Sequence, residues 1–192
     1  MSLFYEQLEI LKETGKLACF RRDIQAVTDE TVGILLDGNE DWLLIDVIND
    51  SNGSKMGISV IQTQEITQVR WDGDALENLT ALMHENYTKT NHGDIDISSR
   101  ESLLKTIQEK YGYLCLFFDD VRPDSCFIGK YVDIDSSDDD NSGCILFDEF
   151  PTLRERSISR SLFKLSEITR IDAGAPYEEA IHKLVQRNEV KA

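Results

Sequence analysis

One stretch of the chain has residue types and spacing that meet a metal-ligand template. Starting at Asp138, the run DDDNSGCILFDE sets Asp138, Asp140 and Ser142 at positions 1, 3 and 5, Gly143 at position 6, Ile145 at position 8 and Glu149 at position 12. Those are the oxygen donors, the sharp turn and the apolar anchor of an EF-hand calcium loop. Such a loop needs a helix on each side. Here the preceding FIGKYVDI has strand composition, and Pro151 disfavours a helix beginning at Asp148. In an extended strand Glu149 is carried away from Asp138 and cannot close the same coordination shell. Three readings stay open for the loop Asp133 to Gly143: an EF-hand, weak calcium binding by Asp138, Asp140 and Ser142 alone, and a solvated acidic hairpin loop. The last is the expectation, and no metal site, cofactor or catalytic residue is assigned.

The remaining reactive side chains are sparse. His84, His92 and His182 have no cysteine or acid at a metal-ligand spacing, so surface histidines are expected, His182 among polar neighbours on a helix. Cys19, Cys115, Cys126 and Cys144 form no C-x-x-C pair, and reduced, mostly buried thiols follow. The glycine-rich loops that cradle phosphates are absent. Basic residues concentrate in LRERSISRSLFK, which holds Arg154, Arg156, Arg160 and Lys164, and in the pair Arg21-Arg22. Even spacing along a strand would line up Arg156, Arg160 and Lys164 on one face, either to meet nucleic acid or an acidic peptide or, as expected, to pair with the chain's own carboxylates.

Those carboxylates are many. The 192 residues include 36 acidic and 20 basic side chains, a net charge of −16. Such a surface repels phosphate backbones and anionic lipid, disfavouring nucleic acid and membrane and suiting a basic partner. No apolar run approaches the roughly 20 residues a membrane helix needs. The opening MSLFYEQLEI has no basic stretch before an apolar core, so a cytoplasmic protein is expected.

The elements that position these groups occur twice. QEITQV at Gln64 to Val69 returns as SEITRI at Ser166 to Ile171. An offset of 96 sets Leu8 on Leu104, Cys19 on Cys115, Gly33 on Gly129 and Asp37 on Asp133; an offset of 102 sets Leu44 on Leu146, Asp46 on Asp148 and Ser59 on Ser161. One gap of six residues reconciles the two, and it falls in the acidic loop, where insertion is tolerated. A duplicated module is expected. Each copy opens with an amphipathic helix, Phe4, Leu8, Leu11 in one and Leu104, Ile107, Tyr111 in the other. Five short strands follow, at KLACFRRD, ETVGILLDG, DWLLIDVI, MGISVIQT and EITQVRW, and at GYLCLFFDD, CFIGKYVDI, GCILFDEF, ISRSLFKL and EITRIDA. A second helix closes each copy, near 75–87 and 176–188. Five strands with two bare edges point to a small, strongly bent barrel, with each Glu-Ile-Thr triplet starting the last strand.

A helix followed by five strands, with VGILLD at Val32 to Asp37 and WLLID at Trp42 to Asp46, resembles the Sm-like (LSm, Hfq-like) family. The second copy matches as IGKYVD at Ile128 to Asp133 and CILFD at Cys144 to Asp148. The resemblance implies two Sm-like or SH3-like barrels in tandem, and assembly by pairing the fourth strand of one subunit with the fifth of the next. It does not bring the family's RNA site. That site uses an aspartate, an aromatic or histidine, and an asparagine after the second strand, with an arginine-glycine or lysine-histidine pair before the last. Here the second-strand loops read DGNED or an acidic run, and Gln62-Thr63-Gln64 and Lys164-Leu165-Ser166 precede the last strands.

The expectation is therefore a mainly β protein with short helices: a first barrel module at 1–87, a polar linker at 88–100 and a second barrel module at 101–192. Its expected role is non-enzymatic, an interaction or scaffold protein that meets a protein partner through an acidic surface and pairs copies through strand edges. The alternative is an RNA-binding protein using Arg154 to Lys164.

Overall fold

The computed structural model describes residues 2–24, 27–83, 87, 94–122, 125–135, 143–151 and 157–189. The chain is mainly β with four helices among these residues, and it divides into two units, Met1–Gly93 and Asp94–Ala192.

The first unit begins with α1 (Leu3–Thr14), which stops at Gly15 in the left-handed region, φ 60, where glycine carries no Cβ penalty. Strands β1 (Leu17–Ile24), β2 (Val27–Gly38), β3 (Trp42–Ile48), β4 (Lys55–Gln62) and β5 (Ile66–Trp71) follow, then α2 (Asp74–Leu82). β1 to β4 form an antiparallel meander, and β5 returns to the far side of β1, giving the order β5-β1-β2-β3-β4. The sheet is covered on both faces, which explains why Trp42 to Ile45 are all buried. On one face Leu8 and Leu11 of α1 pack with Ala18, Phe20, Leu43 and Ile61. On the other, Leu76 and Leu79 of α2 pack with Leu17, Ile34 and Ile48.

The second unit repeats this plan with α3 (Arg100–Tyr111), β6 (Leu114–Phe117), β7 (Cys126–Asp135), β8 (Cys144–Glu149), β9 (Ser159–Lys164), β10 (Arg170–Ala173) and α4 (Pro176–Glu189). Its strand order is β10-β6-β7-β8-β9, also antiparallel. Registers recur at the offsets read from the sequence: Ala18↔Gly33 with Leu114↔Gly129, and Leu43↔Ile61 with Ile145↔Phe163. The two strand glycines have one steric reason. A methyl group on Gly33 would overlap the Asp46 carbonyl oxygen and stand 2.6 Å from Ile45 Cγ2; one on Gly129 would overlap the Asp148 carbonyl oxygen and stand 2.7 Å from Phe147 Cε1. Both second strands are bent hard against the third, with a register shift a few residues later in each.

The five strands of neither unit close into the expected barrel. The chain passes from β4 to β5 through a single 3-10 turn, Thr63–Glu65, and from β9 to β10 through another, Leu165–Glu167. These turns send the last strand across to pair with the first, so the fourth and fifth strands of each unit are not hydrogen-bonded to each other. The Glu-Ile-Thr triplets are correspondingly turn exits. Glu65 and Glu167 belong to the 3-10 turns, and in the second unit Ile168 and Thr169 precede β10. The segment expected as a polar linker carries two buried residues, Ile95 and Ile97. It also holds Ser99, whose hydroxyl accepts from the Ser102 amide at 3.1 Å and caps α3. Among the described residues no helix is long and apolar enough to cross a membrane.

Candidate interaction surface

The basic stretch singled out in the sequence falls partly on β9. Arg154 and Arg156 lie outside the described residues, as do Asp138, Asp140 and Ser142 of the acidic loop. Arg160, Leu162 and Lys164 alternate along β9 on its exposed face. Arg160 sits directly opposite Asp148 of β8 and grips its carboxylate with two bonds, Nε to Oδ1 at 2.6 Å and a terminal nitrogen to Oδ2 at 2.9 Å. That hydrogen-bonded guanidinium holds the Asp148 carboxyl below its ordinary pKa. Lys164 lies 3.5 Å from Glu167. The described half of the basic stretch is thus paired with the chain's own carboxylates. Arg21 is likewise 3.2 Å from Asp23, and Arg22 is buried.

What β9 presents instead is an edge. Among the described residues it pairs with β8 alone, so its far side displays backbone donors and acceptors with no strand beside it there. Leu162 on this strand is 67% exposed, and Ile158 just before it 47%. On the opposite face Phe163 packs against Phe118 at 4.6 Å and Phe127 at 4.9 Å between ring centroids. A groove of about 350 Å³ runs beside the strand, bounded by Phe118, Arg122, Glu149, Leu162, Phe163 and Lys164. Glu149, the twelfth residue of the calcium template, is in strand β8 and accepts hydrogen bonds from Ser159, at 3.4 Å, and Ser161. Among the described residues no group of three histidine, cysteine or acidic side chains is placed to hold a metal ion.

Among the described residues β5 in the first unit is also an edge, paired only with β1, and an apolar groove of about 300 Å³ lies between it and α1, walled by Leu3, Phe4, Leu11, Val69 and Trp71.

Several residues stand differently from the sequence reading. His182 is half-buried, its ring 5.0 Å from Tyr113 and stacked on Phe150 at 5.8 Å, because α4 lies across the end of α3 at Gly112. Cys19 and Cys115 are buried as expected, but Cys126 is exposed and Cys144 half-buried, since both are first residues of strands that emerge from loops. Sequence reading missed the polar groups of the interior. Asp46 is fully buried and accepts a 2.7 Å bond from the Tyr87 hydroxyl, whose pKa is pushed up by burial and by that carboxylate; Lys55 Nζ approaches the same oxygen at 3.5 Å. Arg22 is enclosed between Asp29 and Glu65. Tyr87 with Asp46 and Arg22 with Glu65 join residues 41 and 43 apart in the chain, which local spacing does not reveal.

No protein-family model, curated protein or solved structure matches this chain.

Proposed function

We propose that the protein is a non-enzymatic interaction module made of two Sm-like units that arose by duplication, and that it binds an extended protein segment along the open edge of β9. The observation that carries this reading is the edge itself: a strand paired on one side only, with Leu162 two-thirds exposed beside an aromatic-floored groove. Strand addition obtains its affinity from main-chain hydrogen bonds and its selectivity from alternate side-chain pockets. The net charge of −16 draws a basic segment to that edge over long range. Copies of the chain also join through the edges β9 and β5, which makes the protein an oligomer.

The RNA reading has no comparable support, since Arg160 is held by Asp148 and Lys164 stands beside Glu167. Titration of lysine-rich extended peptides and of single-stranded uridine-rich RNA against the full chain separates the two. Peptide binding that is lost in Leu162→Glu supports the proposal. Salt-sensitive RNA binding that weakens in Arg156→Ala and Arg160→Ala overturns it in favour of RNA. Light scattering tests the assembly: a sharp trimer or tetramer that Leu162→Glu disperses supports edge pairing, and a monomer at all concentrations removes it.

A further inference from the structure

Three neighbouring strands of the second unit bring ionisable side chains to one face. β10 pairs with β6 through Arg170↔Phe117 and Asp172↔Cys115, and β6 pairs with β7 through Cys115↔Ile128 and Phe117↔Cys126. Opposed residues, and residues two apart, share a face, so Arg170, Asp172, Cys115 and Cys126 all lie on the same side. Cys115 and Cys126 are diagonal neighbours there, each two residues from the other's direct partner. The two sulfurs differ in access: Cys115 is 1% exposed, whereas Cys126, the first residue of β7, is open to solvent. Arg170 stands 3.4 Å from Asp172 with its guanidinium 3.7 Å above the Phe117 ring. Glu178, in the first turn of α4 and 6% exposed, accepts from the Ala175 amide at 3.2 Å and interacts with Cys115, Cys126 and Asp172.

The first unit shows what this face looks like without the second sulfur. Cys19 matches Cys115, Glu30 matches Cys126 and Arg70 matches Asp172, and Cys19 interacts with both of its neighbours. Diagonal contact is therefore a property of both folds, but only the second places two thiols in it.

We propose that Cys126 and Cys115 are a reversible dithiol–disulfide site for hydrogen peroxide, with Cys126 the attacking thiolate, Cys115 the resolving thiol and Glu178 the proton carrier. In the first step the Cys126 sulfur attacks one peroxide oxygen. The S–O bond forms, the O–O bond breaks, the sulfur is oxidised to sulfenic acid, and the departing hydroxide takes a proton and leaves as water. In the second step Cys115 gives its proton to the Glu178 carboxylate and attacks the Cys126 sulfur. The S–S bond forms, the S–O bond breaks, and the second hydroxide recovers that proton as water. Two thiols and one peroxide become one disulfide and two waters, and a dithiol reductant reverses the change.

The electrostatics agree with these roles. Cys126 is held down to about 7 by the Cys115 hydrogen bond, with Arg170 assisting and burial and Asp172 opposing. Cys115 is pushed up by the same hydrogen bond, by burial and by Glu178, which suits a thiol that reacts only after the first step. Glu178 is raised to about 7, mainly by burial and then by Asp172, so it exchanges a proton near neutrality. Diagonal Cα atoms lie about 7–8 Å apart and disulfides span about 4.4–6.8 Å.

The test is peroxide titration of the reduced full chain at pH 7, with alkylation of remaining thiols and peptide mass spectrometry. The expected result is loss of two of the four thiols, a Cys115–Cys126 cross-linked peptide, and full recovery on adding a dithiol reductant. Cys126→Ser abolishes the fast reaction, Cys115→Ser halts at a sulfenic acid that a carbon nucleophile traps at Cys126, and Glu178→Gln slows the second step at least about tenfold. Should Glu178→Gln not fold, the native chain's disulfide-forming rate must still fall as pH drops below about 7. Four free thiols after treatment, a bridge through Cys144 or Cys19, or a pH-independent rate overturns the proposal.

Discussion

Arg22, 1% exposed, directs one terminal nitrogen to Glu65 Oε2 at 2.9 Å and binds Asp29 with its other donors. A buried guanidinium is tolerable only with its donors occupied, because an uncompensated interior charge loses its hydration without replacement. The matching position in the second unit is Phe118, which packs against Phe127 and Phe163. One site in the fold is thus filled by an ion network in one unit and by an aromatic cluster in the other. Glu65→Gln, which leaves Asp29 paired with Arg22, is expected to lower unfolding stability by about 1–3 kcal/mol, read from the urea midpoint.

The strand glycines give a second expectation. Gly33→Ala and Gly129→Ala each drive a methyl into the carbonyl of the adjacent strand, at Asp46 and Asp148. Each should cost about 1–3 kcal/mol through forced backbone shifts. Gly38→Ala, whose added methyl meets the far end of Leu43 at 2.9 Å and the Trp42 carbonyl oxygen at an ordinary 3.8 Å, should cost less. Thermal melts of the three variants settle the order, and equal losses would remove the steric explanation.

Tyr87→Phe deletes the hydroxyl that Asp46 accepts at 2.7 Å and leaves a buried carboxylate with one donor fewer. A loss of about 1–3 kcal/mol follows. Lys55→Met, which removes the cation 3.5 Å from the same oxygen, should aggravate Tyr87→Phe by more than the sum of the single changes.

Glu178 makes stability depend on pH. Its folded pKa, about 7, stands above the ordinary 4.5, so the folded state holds the proton more tightly than the unfolded chain. Its contribution is complete below about 4.5 and is lost as pH rises through about 7, on the order of 3 kcal/mol across that window. Cys126 acts oppositely and in a different window. Its folded pKa, about 7, lies below 9.0, so its contribution is present above that ordinary value and lost as pH falls through about 7. The melting temperature of the reduced protein should therefore fall from pH 4.5 to 7 and recover towards pH 9. Glu178→Gln should flatten the first limb and leave the second.

The sequence by itself determined the elements. Apolar alternation, turn residues and helical spacing are local properties, and they located the ten strands and four helices of the described residues, most strand ends to within two residues, although the helix expected at 75–87 stops at Leu82 and the last strand starts at Arg170. The offsets of 96 and 102 also carried the registers, because a strand slipped by one residue would turn its apolar set outward. What the tertiary structure decided was everything that depends on which strand lies beside which. The open sheets follow from two three-residue 3-10 turns, whose sequences TQE and LSE do not announce that they cross the sheet. The Arg22–Glu65, Tyr87–Asp46 and Cys115–Cys126 groupings join side chains through their placement in the fold. They exist because antiparallel pairing converts distance in sequence into adjacency on a face.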